Sequence, residues 1–198
     1  MYLHIKRLLD FALSLLMLVA LSPLLCILAL AVKLTSPGPV LFKQKRVGIH
    51  KTHFTIYKFR SMRTDTPKDM PTDQLKNPDA FITPLGHFLR RSSMDELPQL
   101  INILKGDMSF VGPRPALYNQ YDLIAERDKY GANDVPPGLT GLAQVEGRDE
   151  LPIPEKARLD GVYAAHLSFW LDVKLIFRTV LPVLQGRGIV EGAQEKKQ

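Results

Sequence analysis

The chain has 198 residues, 45% of them hydrophobic, which suits one globular domain with an anchor segment. Its net charge of +6 favours an anionic partner, such as nucleic acid, anionic lipid or a phosphorylated substrate, over a cationic one. A basic surface that only faces solvent is the alternative interpretation. The one cysteine, Cys26, excludes a disulfide framework or a thiolate metal site within a single chain.

The N-terminal stretch from Phe11 to Val32 contains no charged residue. As one helix it would extend roughly 33 Å, which is enough to cross a bilayer. Ser22 and Pro23 interrupt it near the middle, and proline disrupts a helix because it lacks the backbone N–H. Basic residues flank both ends, so the flanking charge favours neither orientation. These features favour a re-entrant hairpin that enters and leaves by the cytoplasmic face; a kinked spanning helix and a cleaved signal peptide stay open.

Two short runs after this segment predict a small β-hairpin. Val40–Val47 and Phe54–Ser61 read as its strands, with Lys58 and Arg60 on one face of the second strand. That face is either exposed to solvent or a binding surface for phosphate. The other predicted elements are a surface loop over 64–84, helices over 85–91, 117–130, 155–166 and 168–185, a strand over 108–111, an irregular stretch over 135–148, and a disordered tail over 191–198.

A helix is also predicted from the apolar spacing between Leu97 and Leu104, ending at Gly106. Pro98 then falls in its first turn, where a missing N–H is harmless. Asp95 and Glu96 therefore lie at the start of this helix.

Two interpretations of this acidic pair are open. Acidic residues at a helix start favour the helix dipole, and Ser93 with Glu96 fits a capping box. Alternatively, both carboxylates face one pocket, where Mg²⁺ would allow both to stay ionised. A carboxylate can attack a phosphoryl group while nearby Arg and Lys residues neutralise the developing charge. The sequence shows no glycine-rich nucleotide loop, zinc-ligand spacing or serine-nucleophile motif.

Five motifs in order along the chain resemble the monotopic phosphoglycosyl transferases, the bacterial sugar transferases. They occupy 36–44, 57–62, 95–100, 105–115 and 138–145. The resemblance covers essentially the whole chain, whose length resembles the minimal form of the family. It implies a mostly helical α+β fold with a small β-hairpin, anchored as a monotopic membrane protein by an N-terminal re-entrant broken helix and interfacial amphipathic helices. The expected parts are a membrane hairpin over 1–34, a cytoplasmic catalytic domain over 35–190 and the tail over 191–198.

The resemblance implies an enzyme that transfers a sugar-1-phosphate from a UDP-sugar to undecaprenyl phosphate and releases UMP. This reaction begins the assembly of a capsule, O-antigen or glycan at the cytoplasmic face of a bacterial inner membrane. Mg²⁺ is the expected cofactor, no nucleic acid is expected as a partner, and a homodimer is a further expectation. Two alternatives stay open: the same reaction by direct attack of the lipid phosphate, and a non-catalytic basic module bound to the membrane.

Roles for individual residues also follow from the resemblance. Asp95 matches the nucleophile and is expected to help hold Mg²⁺, and Glu96 is expected to assist as a base. The candidates for binding substrate phosphates are Lys58, Arg60, Arg90, Arg114 and Arg148. The expected supporting residues are Asp172, Pro113 and Pro115, while Ser22 and Pro23 match the membrane kink.

The sequence departs from the family pattern near the expected nucleotide-sugar pocket. Pro136, Leu142 and Glu146 stand where family members often have Arg, Trp and Asn, respectively. The run over 115–121 resembles members that use N-acetylated 6-deoxyhexosamines, so a donor of that class is an expectation.

Overall fold

The structure of the protein, a computed structural model, describes residues 2–184 apart from 68, 71–74, 76 and 148–150. It is a mostly helical α+β fold with two small two-stranded sheets, as the sequence predicts. The predicted tail over 191–198 lies outside the described residues. The helices are α1 (Tyr2–Ala20), α2 (Ser22–Thr35), α3 (Pro84–Arg91), α4 (Gln99–Lys105), α5 (Tyr121–Asp128), α6 (Leu142–Glu146), α7 (Ile153–Ala165) and α8 (Phe169–Leu184), and the strands are β1 (Leu41–Val47), β2 (His53–Phe59), β3 (Ser109–Val111) and β4 (Gly138–Thr140).

The N-terminal helices α1 and α2 form a bent pair, with an angle of 65° between them. Pro23 lies in the first turn of α2, and the Ser22 hydroxyl donates a hydrogen bond of 2.8 Å to the carbonyl of Val19. In the described part of the chain, no single helix combines the length and apolarity needed to cross a bilayer, whereas α1 and α2 meet that requirement only when taken together across the bend. The structure therefore confirms the break that Ser22 and Pro23 predict.

Helix α1 begins at Tyr2, nine residues before the uncharged stretch, because its polar side chains dock onto the rest of the protein. The Lys6 ammonium lies 2.5 Å from Asp172 Oδ2, and both side chains are buried. The Asp10 carboxylate accepts a hydrogen bond of 3.1 Å from the backbone N–H of Phe110. Lys6 and Asp10, which precede the uncharged stretch in the sequence, thus form a buried polar face of α1.

The outer faces of α1 and α2 are apolar and exposed, which is unusual for a protein surface unless something apolar covers it. The side chains that are at least 60% exposed in this pair are Leu8, Leu16, Val19, Ile27, Leu30 and Leu34. Helix α8 exposes Phe169, Trp170 and Phe177 in the same way. Such surfaces are typical of elements that lie in a membrane interface.

The predicted hairpin is confirmed: β1 and β2 pair antiparallel, with Phe42 opposite Lys58 and Arg46 opposite Phe54. Since directly opposite residues share a face of the sheet, Lys58 and Arg46 lie on the same side. The prediction that Arg60 shares this strand face is wrong, because β2 ends at Phe59 and the buried Arg60 side chain turns toward the end of α2.

Three further predictions differ from the structure. The stretch predicted as irregular over 135–148 contains β4, which pairs parallel with β3, and the short helix α6. The helix predicted over 117–130 begins only at Tyr121. The capping box at Ser93 is wrong, because Ser93 has a left-handed backbone (φ 56°) and its side chain makes no capping hydrogen bond.

Candidate active site

Asp95 and Glu96 lie in a 3₁₀ turn over Met94–Glu96, between α3 and α4. The turn follows Ser93, whose left-handed backbone is uncommon for a residue other than glycine and reverses the chain after α3. On either side of the two acids, Met94 and Leu97 pack against an apolar cluster of α2, β2 and α3. These two apolar anchors hold the acidic pair in place against α2, β2 and α3.

Glu96 is the centre of an ion-pair network. Its Oε1 atom lies 2.6 Å from Lys58 Nζ and 3.0 Å from Arg114 Nη2. Burial alone would raise the pKa of the Glu96 carboxyl, but the Lys58 ammonium and the Arg114 guanidinium outweigh it and hold that pKa well below its usual range. Glu96 is therefore ionised at neutral pH and fixes two cations at the side of Asp95.

Asp95 differs from its neighbour because its carboxylate accepts no hydrogen bond among the described residues, although the residue is only 8% exposed. Burial, with the charge of Glu96 adding to it, raises the pKa of the Asp95 carboxyl to about 6, against the lowering effect of Lys58, Arg90 and Arg114. A carboxylate that is poorly solvated and poorly hydrogen-bonded keeps its lone pairs available for a metal ion or an electrophile.

Arg114 projects from a loop that three carbonyl groups hold in place. The carbonyl of Pro113 accepts a hydrogen bond of 2.9 Å from the N–H of Gly138, and that of Pro115 accepts one of 3.0 Å from Arg46. The carbonyl of Arg114 itself accepts one of 3.0 Å from Arg127, whose guanidinium is paired with a buried aspartate. Pro113 and Pro115 thus restrict a backbone that presents Arg114 to Glu96.

The other predicted site residues lie in different surroundings. Arg90, at the end of α3, is close enough to Asp95 to lower its pKa, and one of its N–H groups faces the sulfur of Met62 at 3.6 Å. Arg60 donates hydrogen bonds of 2.7 and 2.8 Å to the carbonyls of Pro37 and Ser36. It therefore caps the end of α2, and its predicted phosphate contact stays a prediction.

The last two predicted site residues are Arg148 and Asp172. Arg148 lies outside the described residues. Asp172 accepts hydrogen bonds from the hydroxyls of Tyr2, at 2.6 Å, and Tyr163, at 2.8 Å, in addition to its pairing with Lys6. Its contacts support the attachment of α1 to the domain and do not reach the acidic pair.

A cleft beside Glu96 includes two polar residues that the sequence analysis missed. Its lining residues are Arg46, Ile56, Lys58, Gln99, Arg114 and Pro115. Arg46 could have been found from the two-residue period of β1, which places it on the face of Lys58. Gln99 could have been found from its position three residues after Glu96, one turn further along the chain.

The described residues include no cluster of three or more His, Cys, Asp or Glu side chains that could hold a metal ion. Mg²⁺ nevertheless fits this site, since it often binds through one or two carboxylates and takes its remaining ligands from substrate phosphates and water. The Asp95 carboxylate, which has a raised pKa and no hydrogen-bond donor among the described residues, has the character of such a ligand. Glu96 is held by Lys58 and Arg114, so Asp95 is the better candidate.

Comparison with known proteins places this geometry in a family. The profile of the bacterial sugar transferases, described as "Bacterial sugar transferase", matches residues 1–186. The chain belongs to that family. The match includes the bent helix pair, the hairpin, the acidic turn and the Arg114 loop, so all parts of the site described above lie within the family region.

Several curated family members resemble the chain along most of its length. It is 44% identical over 184 residues to the "UDP-glucose:undecaprenyl-phosphate glucose-1-phosphate transferase" of Escherichia coli K12, covering 89% of this chain and 39% of that protein. It is 36% identical to the "Undecaprenyl-phosphate galactose phosphotransferase" of Salmonella typhimurium, covering 93% of this chain and 41% of that protein. It is 43% identical to the "Exopolysaccharide production protein PSS" of Rhizobium leguminosarum, covering 95% of this chain and all of that protein.

The extent of these matches differs between relatives. The chain spans about two fifths of the length of the glucose and galactose phosphotransferases named above. It covers 90% of the Bacillus subtilis "Uncharacterized sugar transferase EpsL", at 39% identity. Membership of the family thus rests on the shared region, which contains the site.

Proposed function

We propose that the protein transfers a sugar-1-phosphate from a UDP-sugar to undecaprenyl phosphate, releases UMP and so begins the assembly of a cell-surface polysaccharide. One observation carries the proposal: Asp95, a buried carboxylate that accepts no hydrogen bond from the described residues, stands beside Glu96, a carboxylate that holds two cations. The names of the glucose and galactose relatives support the reaction class. The pairing supplies a nucleophile and a charged surface for phosphate within one turn of the chain.

The proposed chemistry has two steps. An oxygen of Asp95 attacks the phosphorus that carries the sugar, the bond from that phosphorus to the UMP oxygen breaks, and UMP leaves with the electron pair. A phosphate oxygen of undecaprenyl phosphate then attacks the same phosphorus, and the bond to Asp95 breaks. Lys58 and Arg114 lie where they can neutralise charge on the phosphate oxygens.

Glu96 is assigned a positioning role in this mechanism. Its pKa lies well below the usual range, because Lys58 and Arg114 more than offset its burial, and a carboxylate of such low basicity is a weak proton acceptor. The general-base role implied by the family resemblance therefore has less support than the placement of the two cations. Fixing both cations before the substrate arrives reduces the reorganisation that the reaction requires.

Mg²⁺ belongs to the same proposal. When bound, it would neutralise charge on the diphosphate of the donor, with Asp95 as its protein ligand. Lys58, Arg114 and Arg90 would bind and orient the phosphates around it. The chemistry of the donor set supports this assignment, since an oxygen ligand and substrate phosphates are what Mg²⁺ prefers.

The location and the donor are also proposed. The exposed apolar faces of α1 and α2 and the bend at Pro23 support a re-entrant hairpin in a bacterial inner membrane, with the catalytic residues on the cytoplasmic side. A lipid-linked acceptor requires such a position. The relatives' names point to UDP-glucose and to a galactose donor, while the run over 115–121 supports an N-acetylated 6-deoxyhexosamine, so all three donor classes belong in the test.

The experiment measures UMP release from these UDP-sugars, with undecaprenyl phosphate and Mg²⁺, by the wild type and by Asp95→Asn. Release by the wild type and its loss in Asp95→Asn are expected. Asp107→Asn is the matched control, since Asp107 pairs with Lys105 away from the acidic turn. Equal release by Asp95→Asn would contradict the assignment of the nucleophile.

A second measurement separates the two-step route from direct attack. Wild-type protein is incubated with a donor labelled in its sugar, without undecaprenyl phosphate, and then denatured. The two-step route predicts label bound to protein, about one equivalent of UMP, and neither in Asp95→Asn. Absence of protein-bound label from an enzyme that turns over with acceptor would favour direct attack of the lipid phosphate.

A further inference from the structure

The cleft between the β-hairpin and α4 combines positive charge with a buried side chain that lacks a partner. Arg46, Lys58 and Arg114 line it, and Glu96 pairs with Lys58 and Arg114. Gln99, the first residue of α4, also lines it and is only 1% exposed. Its side-chain Nε2 atom has no hydrogen-bond partner in the part of the chain that the structure describes.

A buried amide group without a partner destabilises a protein, because it gives up hydrogen bonds to water and gains none. Such a group points to a ligand when it borders a cleft. The final torsion of a glutamine side chain is broad and roughly two-fold, so a rotation of about 180° exchanges the amide nitrogen and oxygen. Gln99 can therefore present its N–H groups to whatever occupies the cleft.

The charge of the cleft indicates the chemistry of that occupant. Lys58 and Arg114 already share Glu96, and Arg46 is held by the Gln44 side chain and the carbonyl of Pro115. A group with several anionic oxygens would accept hydrogen bonds from Gln99 and the cations together. A phosphate group has this property, whereas the ring of a sugar or a lipid chain does not.

We propose that this cleft binds a phosphate group of a substrate, and that Gln99 and Arg46 contact its oxygens alongside Lys58 and Arg114. The inference deepens the proposed function and rests on it. Both the UDP-sugar and undecaprenyl phosphate carry such a group. Gln99 is thus a substrate-binding residue within the 95–100 motif, for which the resemblance implied no role.

The position of Arg46 supports this role. The register of the hairpin places it on the same face as Lys58, and its guanidinium is oriented by two neutral acceptors at 3.0 Å, Gln44 Oε1 and the carbonyl of Pro115. Arg46 therefore brings a third cationic side chain to the cleft, next to Lys58 and Arg114.

The test compares Gln99→Met, which keeps the volume and removes the amide, with wild-type protein. Removing a buried group that has no partner should leave the melting temperature equal or higher, while kcat/KM for the substrate whose phosphate is bound falls about tenfold. A fall for the UDP-sugar assigns the cleft to the donor, and a fall for undecaprenyl phosphate assigns it to the acceptor. Unchanged kcat/KM for both substrates would overturn the proposal.

Gln120→Met is the matched control. The Gln120 side chain accepts a hydrogen bond of 2.7 Å from the N–H of Leu117, so this variant should lower the melting temperature and leave both kcat/KM values unchanged. If Gln99→Met behaves in the same way, Gln99 is structural and the proposal fails. A wild-type protein that releases no UMP from any donor would overturn the proposed function itself. An active wild type with an unaffected Gln99→Met variant would overturn only the role of Gln99.

A second variant tests whether Gln99 and Arg46 share one ligand. Arg46→Gln alone is expected to lower the same kcat/KM value as Gln99→Met by about tenfold or more. If both residues contact one phosphate, the double variant loses less than the product of the two single losses. Losses that multiply, or that affect different substrates, would overturn the shared site.

Discussion

Lys58 Nζ lies 2.6 Å from Glu96 Oε1, a contact between β2 and the acidic turn that is 38 residues apart in sequence. Each side chain is less than a fifth exposed, so the pair is only weakly screened by solvent. Arg114 reaches the same oxygen from a third segment. One carboxylate oxygen therefore joins the hairpin, the acidic turn and the Arg114 loop, and sets the electrostatic surroundings of Asp95.

Removing the charge of Glu96 should change both rate and pH dependence. The Glu96→Gln variant frees Lys58 and Arg114, and we expect kcat to fall about 10²-fold because these cations lose their placement. The charge of Glu96 raises the pKa of Asp95, while those cations lower it. The acid limb of kcat/KM for the donor, which reports the ionisation of Asp95 in the free enzyme, should therefore move to lower pH.

The measurement is a pH profile of UMP release at a fixed Mg²⁺ concentration. Glu126→Gln serves as the control, because Glu126 pairs with the exposed Lys129. Its profile should match that of the wild type. An acid limb that stays in place or moves to higher pH in Glu96→Gln would contradict the electrostatic coupling of the two acids.

The Asp95→Asn variant should be more stable than the wild type at neutral pH. The pKa of Asp95 is raised from 3.8 to about 6 by burial, so its contribution to stability is full below pH 3.8 and is lost as pH rises through 6. A neutral asparagine loses nothing over that range. The difference at pH 8 is at most about 3 kcal/mol, since each pKa unit corresponds to ~1.4 kcal/mol.

Thermal unfolding in detergent with EDTA, at pH 4 and pH 8, measures this effect. A gain of several degrees is expected at pH 8, since ~1 kcal/mol shifts the melting temperature by roughly 2–4 °C in a chain of this size. The gain should vanish at pH 4. The exposed Asp79→Asn controls for the loss of one carboxylate and should show neither effect. A gain that is the same at both pH values would point to packing instead of charge.

The hairpin and the break in the N-terminal segment could be predicted because they depend on local patterns. Each can be recognised from a few neighbouring residues: the strands by their two-residue period, and the break by a proline within an apolar run. The early start of α1 could not be predicted in this way. Lys6 becomes a buried helical residue only because Asp172, 166 residues away, neutralises it.

Only part of the candidate site could be predicted, because the rest depends on contacts between segments that are distant in sequence. Asp95 and Glu96 were found as an adjacent pair, but their different surroundings arise from Lys58 and Arg114, which reach Glu96 from other segments. Arg60 illustrates the converse. Its position in a basic motif resembles a phosphate contact, whereas the structure shows its guanidinium on the carbonyls of Ser36 and Pro37.

Substitution of Arg60 should therefore affect stability before it affects substrate binding. Arg60→Lys loses the planar guanidinium that spans the carbonyls of Ser36 and Pro37, and we expect a loss of about 2 kcal/mol. Gly38→Ala should act through the same contact. A Cβ atom there would lie 2.1 Å from Arg60 Nη1, and φ is +123°, which disfavours alanine.

Thermal unfolding and donor kinetics distinguish the two roles of Arg60. Both variants are expected to melt at lower temperature and to keep the wild-type KM for the UDP-sugar in the folded fraction. Arg63→Lys is the control, since Arg63 is exposed and pairs with Asp65. A raised KM with an unchanged melting temperature in Arg60→Lys would instead support the predicted phosphate contact.

The bend between α1 and α2 makes a prediction about topology. A re-entrant hairpin places both of its ends on one side of the membrane, whereas a spanning helix places them on opposite sides. With Cys26 replaced by serine, His4→Cys and Thr35→Cys provide single exposed thiols near the two ends. Neither should react with a membrane-impermeant maleimide in intact spheroplasts, and both should react in inside-out vesicles.

Lys129→Cys, at an exposed position after α5, reports the orientation of each membrane preparation. It should follow the same pattern as the other two thiols, because the bend returns the chain to the side from which it entered. Labelling of His4→Cys from outside intact spheroplasts, with Thr35→Cys and Lys129→Cys protected there, would show that the pair spans the membrane in spite of its 65° bend. That outcome would also separate the bend from any role in topology and leave it as a packing feature, since Leu18 and Leu21 beside the bend pack against the apolar cluster that contains Leu100 and Ile103 of α4.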